Sequence, residues 1–457
     1  MRSTPIFLAL LAGLATAARA EETLPATLAG FAALPALTLA LPPADAPRDA
    51  LVSGKFAAGP TRVDAPMSVI GDTGPAQGSR PTGIAFPFIG QPVQGFSGLA
   101  MTPAADGSVY VLTDNGFGTK ANSSDALLVF HRVALDWATG KVALKQAIYL
   151  RDPDRILPFR IVNDGSEARY LTGADLDPES IQVIGDSVWI GEELGPWLVR
   201  ATLDGRVTGI FATAIDGKPV KSPDNPALSI PAAPVKDWQS ARSGGFEGMG
   251  LNPETGMLWA LLEKPLVGED GKPAGNLLPL LEFDPRTGGW TGKRLSFPLG
   301  EGAASIGDLN FIDGHRALVI ERDNGEGDAA QACPEGKPAP DCYPVPAKVK
   351  RIVLIDIAKA DAEGRVARLA SIDLLAIADP DGKGAAAMGG HEGGAEGKSF
   401  SFPFVTIENV MKVDDSHILV INDNNLPFST GRSPDRAADN EVLLLSVPEL
   451  LSTGIGG

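Results

Sequence analysis

Acidic residues recur in this chain at two fixed places of a repeated pattern, and carboxylates gathered in that way can bind a metal or carry acid–base chemistry. Five segments each open a short apolar stretch with Ser97, Glu179, Glu247, Asp308 or Glu408. They close a second stretch with Asp114, with Glu192 or Glu193, with Glu263, with Glu321 and Asp323, or with Asn422 and Asp423. In an antiparallel hairpin the opening of the first strand and the close of the second lie at the same end, so about ten carboxylate or amide oxygens are expected around one mouth. That many like charges share a mouth only when cations neutralise them or their pKa values rise.

Oxygen donors without histidine or thiolate beside them favour calcium over zinc or copper. The expected metal ligands are Asp114, Glu179, Glu192, Glu247, Asp308, Asp323, Glu408 and Asp423. Glu263 and Glu321 are candidate general bases, and Arg322 and Lys264 candidates for steadying an anion, with Lys120 and Arg432 also nearby. Of the four histidines, His391 in its glycine-rich loop is the one to test as catalytic; His131, His315 and His417 read as surface or packing residues. Each acidic strand end could instead be a plain turn former, but recurrence in five units argues for a shared site. No G-x-S-x-G elbow, H-E-x-x-H, Walker or G-x-G-x-x-G signature occurs in the context it needs.

The elements that position these residues are short apolar runs separated by turns, in a chain with 53 glycines and 38 prolines. That spacing predicts an all-β protein. The paired runs are 96–103 with 109–116, 178–181 with 188–193, 246–251 with 258–264, 306–311 with 317–325, and 407–410 with 418–425. Further apolar runs follow the hairpins, for example 197–200, 280–283, 351–355 and 442–445, so each unit reads as a four-stranded blade of a β-propeller. Five to seven blades are expected, with residues 51–56 offered as the strand that closes the ring. Two stacked β-sandwiches are the alternative architecture.

Residues 1–20 carry Arg2, an apolar run and Ala18-Arg19-Ala20, which reads as a secretory signal peptide. Residues 21–50 read as a lead-in and 51–457 as the propeller domain. A secreted or periplasmic location follows, and Cys333 with Cys342 reads as a disulfide closing a short loop. The formal net charge of −17 argues against a nucleic-acid or anionic-membrane partner.

Phe246-Glu247-Gly248-Met249-Gly250-Leu251, Gly191-Glu192-Glu193-Leu194-Gly195-Pro196, Thr113-Asp114-Asn115-Gly116 and Ile320-Glu321-Arg322-Asp323-Asn324 together resemble the phytase-like domain family, described as having esterase-like activity of phytase. The resemblance runs from residue 90 to the C-terminus. It implies a secreted or periplasmic propeller and calcium-assisted hydrolysis of phosphate esters. The expectation is therefore a monomeric, calcium-dependent hydrolase of small anionic esters. A non-enzymatic binding propeller with structural calcium and a lactonase-type calcium propeller are the competing readings. Dense lysine and arginine clusters suited to a six-phosphate substrate are not evident.

Overall fold

The computed structural model describes residues 21–59, 61–226, 238–268, 270–384 and 399–455. The signal-peptide expectation for residues 1–20 and the candidate His391 lie outside the described residues. The chain is all-β, and helix among the described residues is confined to short pieces such as Pro448–Ser452.

Five antiparallel units of four strands, sheets 1 to 5, dominate; a parallel contact of Lys141 with Ala33 joins units 1 and 5 into one larger sheet. Sheet 1 runs Phe96–Leu99, Val109–Thr113, Val129–Asp136 and Lys141–Tyr149. Sheet 2 runs Pro178–Ile184, Ser187–Glu192, Trp197–Thr202 and Val207–Ala212. Sheet 3 runs Phe246–Leu251, Leu258–Leu262, Leu277–Asp284 and Gly289–Pro298. Sheet 4 runs Ser305–Phe311, Arg316–Arg322, Lys350–Asp356 and Ala367–Asp373. Sheet 5 runs Thr406–Lys412, His417–Asp423, Asn440–Ser446 and, from the other end of the chain, Thr27–Leu34.

Burial explains the arrangement. The first strand of every sheet is buried almost throughout, whereas the last strand of sheet 3 is largely exposed. A strand buried at nearly every residue is covered on both faces, although these first strands carry polar residues as well as apolar ones. Five separate cores supply the cover, one between each pair of successive sheets. Leu112 and Phe130 of sheet 1 meet Ile181 and Ile190 of sheet 2. Trp189 meets Met249 and Phe283 of sheet 3, and Trp259 meets Leu309 and Val319 of sheet 4. Ile320 and Leu354 meet Val410 and Val420 of sheet 5. The fifth core joins Ile421 and Val442 of sheet 5 back to Phe96 and Val111 of sheet 1. The sheets therefore stand in a closed ring with their first strands at the centre.

The closing strand differs from the sequence expectation. Residues 52–53 pair with residues 88–89 in a small side sheet, and it is Thr27–Leu34, bracketed by Pro25 and Pro35, that pairs antiparallel with Asn440–Ser446. Leu28, Phe31, Ala32 and Leu34 are buried there, while residues 52–53 offer one buried serine and a half-buried valine. Glu22–Leu24 adds parallel to the outer edge of sheet 4. The stretch read as a lead-in is thus part of the ring. Cys333 and Cys342 form a disulfide with Cα atoms 4.9 Å apart.

Candidate functional site

One irregularity recurs in all five sheets. Where the first strand pairs with the second, the ladder skips a single residue: Ser97, Glu179, Glu247, Gly307 and Glu408 in sheets 1 to 5. Such a bulge re-aims the extra side chain away from the alternation of the strand. Across the hairpin, the strand ends at the same level are Asp114, Glu193, Glu263, Arg322 and Asp423. Successive strand residues point to opposite faces, so this register decides which acids meet.

Glu179, Glu247 and Glu408 bring carboxylate oxygens within 4.8 Å of one another, as do Asp177, Glu179 and Glu193. Glu179 belongs to both groups, and all five residues are buried. Asp114 and Asp423 stand close enough to act on Glu408 and on each other. Ser97 Oγ donates to Glu408 Oε2 at 3.0 Å. Asp114 accepts from Gly116 N at 2.9 Å, and Asp177 from Asn115 Nδ2 at 2.7 Å.

Burial, reinforced by the neighbouring carboxylates, pushes Asp114, Glu179, Glu193 and Glu247 well above the usual carboxylate range. Burial and the charge of Asp423 carry Glu408 up to about 8, and burial carries Asp423 up to about 6. Glu247 Oε1 is buried without a hydrogen-bond partner. The cation nearest to that oxygen is Arg322 Nη2, at 3.6 Å; the oxygen-only donor set of the two groups sharing Glu179 is what fits a hard divalent cation. The buried acidic groups can therefore hold a metal ion.

Four sequence expectations are corrected by this register. Asp308 sits one residue past the bulge, and Gly307 occupies the equivalent position. The Asp308 carboxylate instead joins two sheets, accepting from Val410 N at 2.9 Å, Leu309 N at 2.7 Å and Asn310 Nδ2 at 3.0 Å. Glu192 faces away from Glu193 and accepts from Leu194 N and Gly195 N at 2.9 and 2.6 Å. Glu321 points to the outer side of sheet 4, where it is held by Arg351 at 2.5 Å and by Arg368 at 2.5 and 2.9 Å. Asp323 organises its own loop, accepting from Lys348 N at 2.8 Å and pairing with Lys350 Nζ at 3.1 Å.

The cations are placed differently from the expectation as well. Arg322 lies at the mouth, but its Nη2 faces Glu263, Glu408 and Glu247 at 3.2, 3.5 and 3.6 Å instead of an open space for an anion. Lys264 Nζ pairs with Glu263 at 2.8 Å. Arg432 is buried against Glu441 at 2.7 Å and over the ring of Phe400. Asp177 escaped the sequence reading because it stands before the strand, although the Asp177-Pro178-Glu179 run was there to signal it.

Asp308→Ala should lower stability by about 2 to 3 kcal/mol in urea unfolding, because it leaves the buried Val410 amide and Asn310 side chain unsatisfied. Calcium affinity should be unchanged by it; a loss of calcium binding as large as that of Glu179→Gln would return Asp308 to the site.

The fold and the mouth define an all-β ring protein that concentrates buried carboxylates at the centre of its sheets. The family described as Phytase-like, esterase-like activity of phytase, matches residues 91–426, and the chain belongs to that family. No curated protein matches it. Among solved structures it is similar to a protein of unknown function from Dyadobacter fermentans, at 10% identity and a TM-score of 0.36, covering 94% of this chain and 98% of that one. It is also similar to the glutaminyl cyclase of Myxococcus xanthus, at 11% identity and a TM-score of 0.33, with 78% and 92% covered. A PQQ-bound aldose sugar dehydrogenase of Streptomyces coelicolor is similar at 13% identity and a TM-score of 0.29, with 76% and 93% covered. These likenesses are too loose to carry function.

Proposed function

We propose that the chain is a secreted or periplasmic five-bladed β-propeller that hydrolyses small phosphate esters or related esters with the help of calcium. The five cores that return from the last sheet to the first support the blade reading. The disulfide suits an oxidising compartment, and no helix of the described residues is long and apolar enough to cross a membrane.

The observation that carries the metal reading is the pair of buried carboxylate groups sharing Glu179. Only oxygen donors are present there, which favours calcium. Family membership points to an ester as the substrate. Bound calcium supplies a Lewis acid for the ester oxygen and a counter-charge for the carboxylates. Glu179, Glu193 and Asp177 would hold it, while Glu263, buried between Arg322 and Lys264 and next to this group, is the residue assigned to take a proton from attacking water. Glu321, turned toward Arg351 and Arg368 and a member of neither carboxylate group, has no part in this scheme.

The test is hydrolysis by the purified mature protein, with calcium or with chelator, across phosphomonoesters, phosphodiesters, carboxyl esters and lactones. Turnover should require calcium and should fall at least about a hundredfold in Glu179→Gln, in line with the loss of a main electrostatic contributor. Calcium binding without turnover on any ester would leave the binding propeller as the better account; turnover that survives exhaustive chelation would remove calcium from the mechanism.

A further inference from the structure

The five sheets are not equivalent at the mouth, and sheet 4 is the exception at both positions. At the bulge, sheets 2, 3 and 5 present a glutamate and sheet 1 a serine, but sheet 4 presents Gly307. No side chain fits there, since a Cβ would lie 1.9 Å from the carbonyl oxygen of Ile407. At the facing strand ends, four sheets present an acid and sheet 4 presents Arg322. The guanidinium fills the sector next to the vacant bulge, with Nη2 within 3.6 Å of Glu247, Glu263 and Glu408, and its side chain is 10% exposed.

Glu247 and Glu408 are two of the three members of one carboxylate group. The other group, Asp177, Glu179 and Glu193, has a different environment. Among the described residues no lysine or arginine forms an ion pair with any of the three, and the charges acting on Glu179 are those of other carboxylates. Glu193 lies within electrostatic reach of Lys264 and Arg322 but forms an ion pair with neither.

We propose that Arg322 is a resident cation of the mouth, occupying the Glu247–Glu408 sector, so that the ring takes one divalent cation, between Asp177, Glu179 and Glu193, and not two. The proposal rests on the metal reading above. A second divalent ion beside Glu247 and Glu408 would lie against a guanidinium buried in the same low-dielectric pocket, where like charges repel strongly. A fixed arginine also keeps two of the bulge glutamates paired when no metal is bound.

The test is titration of the mature, metal-stripped protein with calcium chloride in a calorimeter, alongside the melting temperature with and without calcium. Glu193→Gln should weaken calcium binding at least about tenfold, whereas Glu247→Gln should change it less than about threefold, because affinity follows the charge of the ligands that touch the ion. Arg322→Met should take up one calcium more than the wild-type protein. Equal losses in Glu193→Gln and Glu247→Gln, or an unchanged number of ions in Arg322→Met, would overturn the proposal. Should Arg322→Met fail to fold, the two glutamine variants decide alone. A wild-type protein that binds no calcium sinks this proposal and the metal reading together. The expected binding pattern without turnover on any ester supports the resident arginine and removes only the hydrolase.

Discussion

In the presence of chelator the melting temperature of the protein should fall between about pH 6.5 and about pH 8, and saturating calcium should remove the share of that fall that Glu179 and Glu193 contribute. The cause is the crowd of buried carboxyl groups. Burial, then repulsion by Asp423, raises Glu408 to about 8, and burial with neighbouring charge raises Glu179, Glu193 and Glu247 in the same direction. A raised carboxyl keeps its proton longer in the folded chain than in the unfolded one. Its contribution is therefore complete below the ordinary carboxylate range and is lost as pH climbs through about 8, at up to about 1.4 kcal/mol per pH unit for each proton. Calcium replaces the protons of Glu179 and Glu193 as the counter-charge, whereas Glu408 stays beside Arg322 and keeps its share of the fall. Asp308 and Glu192, each carried by burial up to about 8, add to the fall with or without calcium, whereas His131, kept neutral by burial down to about 3, adds stability with pH only below the window and Lys350, pushed by burial to about 8, only above it. A melting temperature that rises across this window in chelator would contradict the account.

The second large effect lies away from the mouth. Arg80→Met should lower stability by about 3 to 5 kcal/mol in urea unfolding. Arg80 and Glu326 are 1% and 0% exposed, and their Nη2 and Oε2 atoms are 2.5 Å apart. Glu326 also accepts from Ser429 Oγ at 2.5 Å and from Thr430 N and Oγ1, both at 2.9 Å. Arg80 reaches the Pro434 carbonyl at 2.6 Å and lies over the Tyr343 ring. Three loops are thereby tied at one ion pair, and removing its cation leaves a buried carboxylate uncompensated. Arg80→Met with Glu326→Gln should recover part of the loss, since both charges then leave together. An Arg80→Met protein within about 1 kcal/mol of wild type would show that the pair is dispensable.

Much of the architecture was legible in the chain. Apolar runs of strand length and turns at regular places were enough for an all-β reading, and the five hairpins quoted from the sequence are the first two strands of the five sheets. The site was legible only to within one residue. Acidic clusters such as Glu192-Glu193 and Glu321-Arg322-Asp323 offer two or three candidates in a row, and only the pairing register says which side chain turns inward. The bulges that set that register leave no mark in composition, so Asp308 was aligned with Glu179 and Glu247 although Gly307 holds their place. Burial of Arg322 among glutamates was equally hidden, because a sequence places charges near one another without saying which way they face.

The strand Thr27–Leu34 also sets the order in which the molecule can be built. It is synthesised well ahead of its partner Asn440–Ser446, with the other four sheets between them in the chain. Ala36 N and Asp439 Oδ1, bonded at 2.8 Å, are 403 positions apart. Closing a loop of that length carries a chain-entropy cost of about 5 kcal/mol, so the strand docks late, after the other sheets have formed. Until then Asn440–Ser446 is a bare edge, open to the same strand from a second copy. The misassembly expected when this chain refolds at high concentration is therefore a swapped dimer, in which each chain lends its Thr27–Leu34 strand to close its neighbour's ring, and size-exclusion chromatography of the refolded protein checks it.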